Sequence, residues 1–426
     1  MSSSSSFDMP STCPEETEDS RSWAGDFDPL GDEGERKVVF SAFDSFRQYR
    51  RSAHLNTTHR RRQAFYALPT KHWQMLAEPP FSLLDNFNKV DDAIDVNADI
   101  ADAIVAVGLK SFGLPARPDP SDPQNWHGVA NSADVNKAHS TIRQFYRDWS
   151  TEGQAERDAC YGPVLRDLDR EFPDKLQRGE FVKVLVPGAG LGRLVFELAL
   201  AGFSAEGNEI SYHQLLASSW VLNHTRGPRC HELYPFALHF SNILSREQQL
   251  RKVMIPDVHP GTAMLEAQAS GETPFGTMSM SAADFVVLYS SPSQKDAFDA
   301  VATVFFIDTA PNLIRYIEAI RNCLKPNGIW INVGPLLWHF EDGHQRTNSG
   351  GGSSSKDEEQ NQGIGEPGNV ELTEEEVFLL IERMGFEIEQ RESPDERVEC
   401  GYIQDPDSML RPLYRPSHWI ARKSLD

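Results

Sequence analysis

The sequence predicts an α/β fold, a mostly parallel sheet preceded by an N-terminal helical region. Three observations carry this. From Phe181 onward, apolar runs of strand length alternate with helical patterns, and strands separated by helices pair in parallel. Before that point, for roughly 170 residues, apolar positions recur at helical spacing. At the junction stands VKVLVPGAGLGRLVFELALAGFSAEGNE, Val182 to Glu209, which reads as strand, glycine turn, helix, strand and acid, the layout of a βαβ unit.

Residues 1–36 hold ten acids and two bases with few apolar anchors and are predicted to be disordered. Order is expected from Lys37, where Phe40, Phe43, Phe46 and Tyr49 fall at helical spacing. Arg47, Arg50, Arg51, Arg60, Arg61 and Arg62 form a basic surface there. It reads as a contact for an anionic partner or the chain's own acidic tail, or simply as a solvated helix face. A second helical block runs from Leu83 to Leu109, a proline-rich connection from Leu114 to Trp126, and a long amphipathic region from Ala133 to Phe172. Residues 37–175 thus form the helical region and 176–426 the sheet domain. Within the latter, a strand (Val182–Val186), a helix (Leu191–Ala201) and a second strand lead to a helix in SYHQLLASSWVLNHT. Met280 to Tyr289 contains a strand-like run, and Asp299 to Asp308 reads as a buried strand ending in an acid. A helix closed by Pro-Asn-Gly (326–328) follows, and IWINVGPLLWHF is the next strand with its exit. The Gly-, Ser- and Glu-rich stretch 344–369 is predicted to be a disordered insertion. Leu372 to Met384 is a helix, and the tail from Phe386 supplies the last strands.

Charge excludes some functions. The 41 Lys and Arg against 63 Asp and Glu give a formal charge of −22. Residues 1–36 and 341–376 each hold ten acids and two bases, so together they contribute −16 and the body only −6. A mildly acidic body argues against a nucleic-acid-binding enzyme, which needs a basic face for phosphates, although a local basic face stays open at the arginines of 47–62. The five cysteines are scattered without a CxxC pair or His-rich spacing, so neither a metal centre nor a disulfide framework is expected. The N-terminus has no basic n-region or apolar h-region, and no run is long enough to span a bilayer. A soluble, intracellular protein without a membrane partner is expected.

The βαβ segment narrows the ligand. Gly188, Gly190 and Gly192 flank the amino end of the helix, where a ligand can approach bare backbone. Glu209 lies just past the second strand, placed to grip both hydroxyls of a ribose. The spacing is G-x-G-x-G, and Arg193 stands where G-x-G-x-x-G would need its last glycine. That departs from the dinucleotide fingerprint, so nucleoside binding of the S-adenosylmethionine type is the better reading. A tight turn without a ligand is the alternative.

With Ala-Asp-Phe at 283–285 and LKPNG at 324–328, this segment resembles a class I S-adenosylmethionine-dependent methyltransferase, a Rossmann-like fold. The runs RQFYRDWS (143–150), ERDACY (156–161), VPGAGLGRL (186–194), GNE (207–209), FFIDTA (305–310) and GPLLWHFE (334–341) resemble the carnosine N-methyltransferase family over residues 38–426, apart from the insertion. The resemblance implies methyl transfer from S-adenosyl-L-methionine to the imidazole of a histidine-containing dipeptide, carnosine to anserine. It implies cofactor contacts at Gln144, Arg147, Gly188, Gly190, Glu209, Asp284, Phe285 and Val304, where Val304 replaces the family's cysteine. It assigns the dipeptide to Asp308, His339, Tyr402 and Tyr414, with Asp308 and His339 as the catalytic pair. The cytoplasm, with the nucleus also open, and a homodimer fit this reading.

These roles are chemically coherent. Displacement from a sulfonium needs a neutral imidazole nitrogen. An acceptor on the other ring nitrogen fixes the tautomer and offsets the developing charge, which suits Asp308; His339 would orient the ring or relay a proton. Each residue also has a plainer reading. Asp308 could cap the following helix, His339 could be a core histidine, Arg147 could pair with Asp148 or Glu152 on a surface, and Tyr414 could be packing. The tail around Tyr402 and Tyr414 matches the family least. A methyltransferase for histidine in a peptide or protein, or a non-catalytic S-adenosylmethionine-binding adaptor, are the competing functions. Glu209, Asp308 and His339 argue against the adaptor.

Overall fold

The computed structural model describes residues 28–270, 276–339 and 368–425. The expectations for residues 1–27 and for 340–367 therefore lie outside the described residues. The first helix, α1 (Glu33–Arg47), opens where the Asp32 carboxylate accepts from the Glu35 N–H, with Glu33 and Glu35 against the positive end of the helix dipole. Helical structure thus begins four residues before Lys37. Acidic composition suggested a tail, but in a first turn those same acids stabilise a helix.

After α2 (Tyr49–His54), one π-helical turn, α3 (Arg60–Tyr66) and α4 (Thr70–Ala77) comes the 30-residue α5 (Leu83–Phe112), closed by Gly113. Its acidic face meets the predicted basic surface. Arg50 Nη1 lies 2.7 Å from Asp95, Arg50 Nη2 lies 2.7 Å from Asp99 and 3.0 Å from Asp102, and Arg62 lies 2.6 Å from Asp91. Arg50 and Arg62 are thus matched by α5, and Arg47 by Asp44 of its own helix. The long region 133–172 is two helices, α6 (Ser132–Trp149), set by an Asn131–Asp134 capping box, and α7 (Gln154–Glu171). The short α8 (Pro173–Gln177) leads into the sheet domain.

There the order is β1 (Lys183–Pro187), α9 (Arg193–Leu200), β2 (Ser204–Glu209), α10 (Tyr212–Asn223), β3 (His231–Leu233), α11 (Arg246–Gln249), β4 (Val253–Ile255) and α12 (Pro260–Ser270). Then follow β5 (Thr277–Ala282), α13 (Phe285–Tyr289), β6 (Phe298–Val304), α14 (Leu313–Cys323), β7 (Leu324–Gly334), α15 (Glu374–Arg383), β8 (Phe386–Arg391) and β9 (Ser417–Lys423). Seven strands form one sheet in the order β5-β2-β1-β6-β7-β9-β8, while β3 and β4 make a separate antiparallel pair. The first five are parallel and β9 runs antiparallel to both its neighbours. The result is the Rossmann-like, mostly parallel α/β sheet with a helical N-terminal layer. Strand order reverses between β1 and β6, and at such a switch point the carboxyl ends open a crevice for ligands.

Three element readings change. The strand-like run 280–289 divides into the end of β5 and the helix α13, because the Asp284 side chain accepts from the Val286 and Val287 N–H groups and starts a helix in β-branched sequence. The strand read as reaching Asp308 ends at Val304. Phe305 turns the chain at φ +52°, and Asp308 sits in a 3₁₀ turn. Lys325 to Gly328 belong to the β7 strand rather than closing α14, with the register shift against β6 accommodating them.

Candidate active site

Parallel pairing of β1 with β2 sets Pro187 opposite Asn208, so the glycine turn and Glu209 emerge side by side. Gly188 and Gly190 have φ of +67° and +56°. A Cβ on Gly188 would lie 2.7 Å from the Phe306 ring, and one on Gly190 would lie 3.0 Å from Gln144 Nε2. Only glycine suits that backbone and that crowding. Glu209 Oε2 accepts from the Gly190 N–H at 3.0 Å, and Oε1 accepts from the Ile210 and Ser211 N–H groups at 2.9 Å each. The carboxylate therefore fixes the loop as well as standing where a ribose is expected.

Helix α6 lies against this turn. The Trp149 indole N–H donates to the Leu191 carbonyl at 3.1 Å, and Arg193 donates to the Asp148 carbonyl at 3.0 Å. Arg193, the residue in place of the last fingerprint glycine, also holds Asp257 at 2.6 Å and Glu197 at 2.7 Å. It joins the glycine helix to α6 and to the loop after β4, a role no motif announced. From α6, Gln144 donates to Asp148 at 3.0 Å and accepts from Gln214 at 2.8 Å.

Arg147, one turn further along, is 4% exposed. Its guanidinium carbon lies 4.6 Å from the Tyr402 ring centroid, 5.3 Å from Tyr161 and 5.6 Å from Phe305. Its Nε is buried without a hydrogen-bond partner, and Asp148 Oδ1 stands 3.9 Å from it. The surface-helix reading of Arg147 therefore fails, although Asp148 is its neighbouring acid. A buried, aromatic-walled guanidinium suits an anionic group.

Asp308 is 1% exposed. One carboxylate oxygen, Oδ2, accepts from the Leu337 N–H at 3.0 Å and lies 4.0 Å from His339 Nδ1; the other, Oδ1, is buried with no partner. Burial raises its pKa above the ordinary carboxylate value, against the opposing pull of the Leu337 amide and His339. Asp308 does not cap the next helix, because Asn312 does. His339 is no core histidine, since 61% of its side chain is exposed. It follows β7 by five residues, held by Trp338, whose indole donates to the Leu372 carbonyl at 2.9 Å.

Tyr402 and Tyr414 come from the C-terminal tail, and Tyr402 reaches the Arg147 guanidinium. Phe305 joins them, with ring centroids 5.4 Å from Tyr402 and 5.6 Å from Tyr414. The tail is positioned by Glu156, which accepts from the Ile403 and Gln404 N–H groups at 2.7 Å each, and by Arg143, which donates to the Ile403 carbonyl at 2.6 Å. Two buried thiols, Cys160 of α7 and Cys400, meet at 3.5 Å. Val304 ends β6, half-buried beside this cluster. Asp284 caps α13, and the Phe285 ring is buried against Phe306, Tyr289 and Tyr316, so the Phe285 side chain serves the core.

Gln144, Gly190 and Glu209 meet at the glycine turn, Arg147, Tyr402 and Tyr414 gather around Phe305, and Asp308 faces His339. Phe306 packs beside Gly188 and against Phe285, while Val304 closes β6 and Asp284 caps α13. Phe305, Tyr161, Glu156 and Gln214 were not singled out from sequence. The first three lie inside runs quoted above, so their neighbourhood was signalled; Gln214 carries no motif. Among the described residues no cluster of His, Cys, Asp or Glu could hold a metal ion, and no helix is long and apolar enough to cross a membrane.

Comparison with known proteins places the chain in a family. The model of the family described as carnosine N-methyltransferase matches residues 124–425. A carnosine N-methyltransferase of Schizosaccharomyces pombe is 36% identical over 92% of this chain and 97% of its own length. The mouse carnosine N-methyltransferase is 34% identical over 91% of this chain and 86% of its own. Among solved structures, an S-adenosylmethionine-dependent methyltransferase from Methanosarcina mazei aligns at 19% identity over 57% of this chain and 93% of its own, with a TM-score of 0.31. The matched stretch takes in α6, the glycine turn, Glu209, Asp308, His339 and the tail: the chain belongs to the carnosine N-methyltransferase family.

Proposed function

We propose that the protein is a methyltransferase that uses S-adenosylmethionine to methylate an imidazole nitrogen of a histidine-containing dipeptide of the carnosine type. The observation that carries the reading is Asp308, a buried carboxylate in the turn past β6 with one oxygen held by Leu337 and the other unpartnered. An orphaned buried acceptor costs stability and is a group awaiting a donor. The N–H of an imidazole is such a donor.

S-adenosylmethionine, when bound, supplies an electrophilic methyl group on a sulfonium. The glycine turn fits close approach of a nucleoside, Glu209 faces its ribose, and the buried Arg147 suits its carboxylate. Asp308 accepts from one ring nitrogen of the substrate, so the lone pair of the other stays available, and it offsets the positive charge that grows on the ring. His339, 4.0 Å away and open to solvent, steadies the ring and receives the proton released afterwards. Tyr402 and Tyr414 close the other side and exclude water. Most of the acceleration on this account comes from alignment.

The test incubates the full chain with methyl-labelled S-adenosylmethionine and a panel of dipeptides. β-Alanyl-histidine should be labelled on its imidazole, and dipeptides lacking histidine should not. Equal labelling of a histidine-free dipeptide, or labelling only of histidine within a protein, would overturn the assignment.

A further inference from the structure

We propose that Gln214 is a further cofactor-binding residue, its side-chain carbonyl oxygen presented to a donor of the cofactor and held in that orientation by Asp148 acting through Gln144. The inference rests on the function proposed above. The argument begins at a buried carboxylate that does no chemistry in that reading. Asp148 is 2% exposed, and an ionised carboxylate only accepts hydrogen bonds. It receives the Tyr161 hydroxyl at 3.1 Å and the Gln144 amide nitrogen at 3.0 Å. With its nitrogen committed there, Gln144 turns its oxygen toward Gln214, which donates its own amide nitrogen at 2.8 Å. Gln214 is thereby left with its carbonyl oxygen outward, and that oxygen is buried with no partner.

The place where the chain of amides ends is telling. A Cβ on Gly190 would lie 3.9 Å from that Gln214 oxygen and 3.0 Å from the Gln144 nitrogen. The Gly190 N–H is the one that Glu209 accepts. The Gln214 acceptor therefore flanks the glycine turn beside the ribose-facing carboxylate. Two donors of the cofactor match it, a ribose hydroxyl and the α-ammonium. Neutral Asn at 148 would break the sense of the chain, because its amide donates as well as accepts. Gln144 and then Gln214 become free to turn over, and Gln214 can present N–H groups where an acceptor is needed. Asp148 is a positioning residue on this account, and Gln214 touches the ligand.

The experiment measures calorimetric affinity for S-adenosylhomocysteine in wild type, Gln214→Met, Asp148→Asn and the double variant. KM for S-adenosylmethionine and for β-alanyl-histidine is followed alongside, with thermal midpoints as the check on folding. Loss of one hydrogen bond weakens binding by about tenfold, so each single variant should show roughly that loss. Asp148→Asn should cost little more once Gln214 is Met, and the dipeptide KM should stay put. The 2′-deoxy, 3′-deoxy and deaminated forms of S-adenosylhomocysteine identify the donor, because the one lacking it is insensitive to Gln214→Met. Wild type failing to bind S-adenosylhomocysteine would instead overturn the function itself. Wild-type affinity in folded Gln214→Met removes Gln214 from the site, and additive losses in the double variant remove Asp148 from its positioning role. If Gln214→Met fails to fold, Asp148→Asn with the three analogues decides alone: equal weakening for all three sinks the proposal.

Discussion

On the function proposed above, Asp308 trades stability for chemistry. Its carboxylate is buried with half of its acceptor capacity unused, and burial raises its pKa. A carboxyl whose folded pKa lies above its unfolded value takes up protons on folding, so its contribution to stability falls as pH rises through the folded value. Asp308→Asn removes the charge and keeps the shape. The variant should therefore melt higher than wild type at pH 7, with the gap closing only as pH falls below the ordinary carboxylate value, where the acid is protonated in both states. Turnover should move the other way. Losing the group that offsets ring charge costs about 10²–10⁴ in rate, while affinity for the cofactor stays near wild type. A variant that is both less stable and fully active would show that Asp308 is an ordinary structural acid.

Among the elements, the tie between α7 and β9 has its own pH signature. His418 Nε2 lies 2.7 Å from Asp167 Oδ2 and both are buried, with Glu392 3.5 Å from the other ring nitrogen. Burial opposes the imidazolium, but Asp167 and then Glu392 outweigh it and raise the pKa above the ordinary 6.5. This contribution is fully present below the unfolded value and is lost as pH rises through the folded one. A charged hydrogen bond of this kind contributes about 1.5–3 kcal/mol. The thermal midpoint of wild type should therefore fall between pH 6 and pH 9 more than that of His418→Gln, and parallel profiles would remove the pair from the stability of the sheet edge. The same scale shows what was readable in the chain. The glycine turn and Glu209 were legible because they lie within one βαβ unit, where local pattern dictates geometry. The end of β6 was not, since Phe305 takes φ +52° against the packing of Tyr402 and Tyr414, which are about a hundred residues away in sequence. Nor could the periodicity of α6 show that Arg147 faces inward, because the rings around it come from α7, the β6 exit and the tail. Only the family resemblance put those positions together.

The molecule as a whole is held by cores that ignore the boundary near residue 175. One joins Phe43, Phe46, Ile94 and Ile104 of the early helices to Leu216 and Trp220 of α10 and Phe236 near the β3–β4 pair. Another joins Val164 and Leu168 of α7 to Val184, Ala300 and Ile329 of the sheet. At Gly108 of α5 a Cβ would lie 2.5 Å from Phe43 and 2.8 Å from Leu216, so α1, α5 and α10 meet where only glycine leaves room. The helical layer is thus part of the sheet domain's interior rather than a cap placed on it. Residues 33–112 precede the stretch matched by the family model, yet they cover α10. Removing a single large buried side chain costs about 2–5 kcal/mol, and a truncation here strips many at once. A fragment of residues 124–426 should therefore be unfolded or aggregated, even though it keeps every residue assigned to the site. Deleting 1–27 and replacing 344–367 with a short Gly-Ser linker is the opposite case. Both segments are polar and acidic in sequence and hold no assigned site residue, so this variant should melt near wild type and turn over within a few-fold of it. Circular dichroism, sedimentation and dipeptide turnover on the two shortened chains separate the outcomes. A soluble, cooperative, active 124–426 fragment would show that the early helices are a dispensable layer and that the shared core contributes far less than its burial implies.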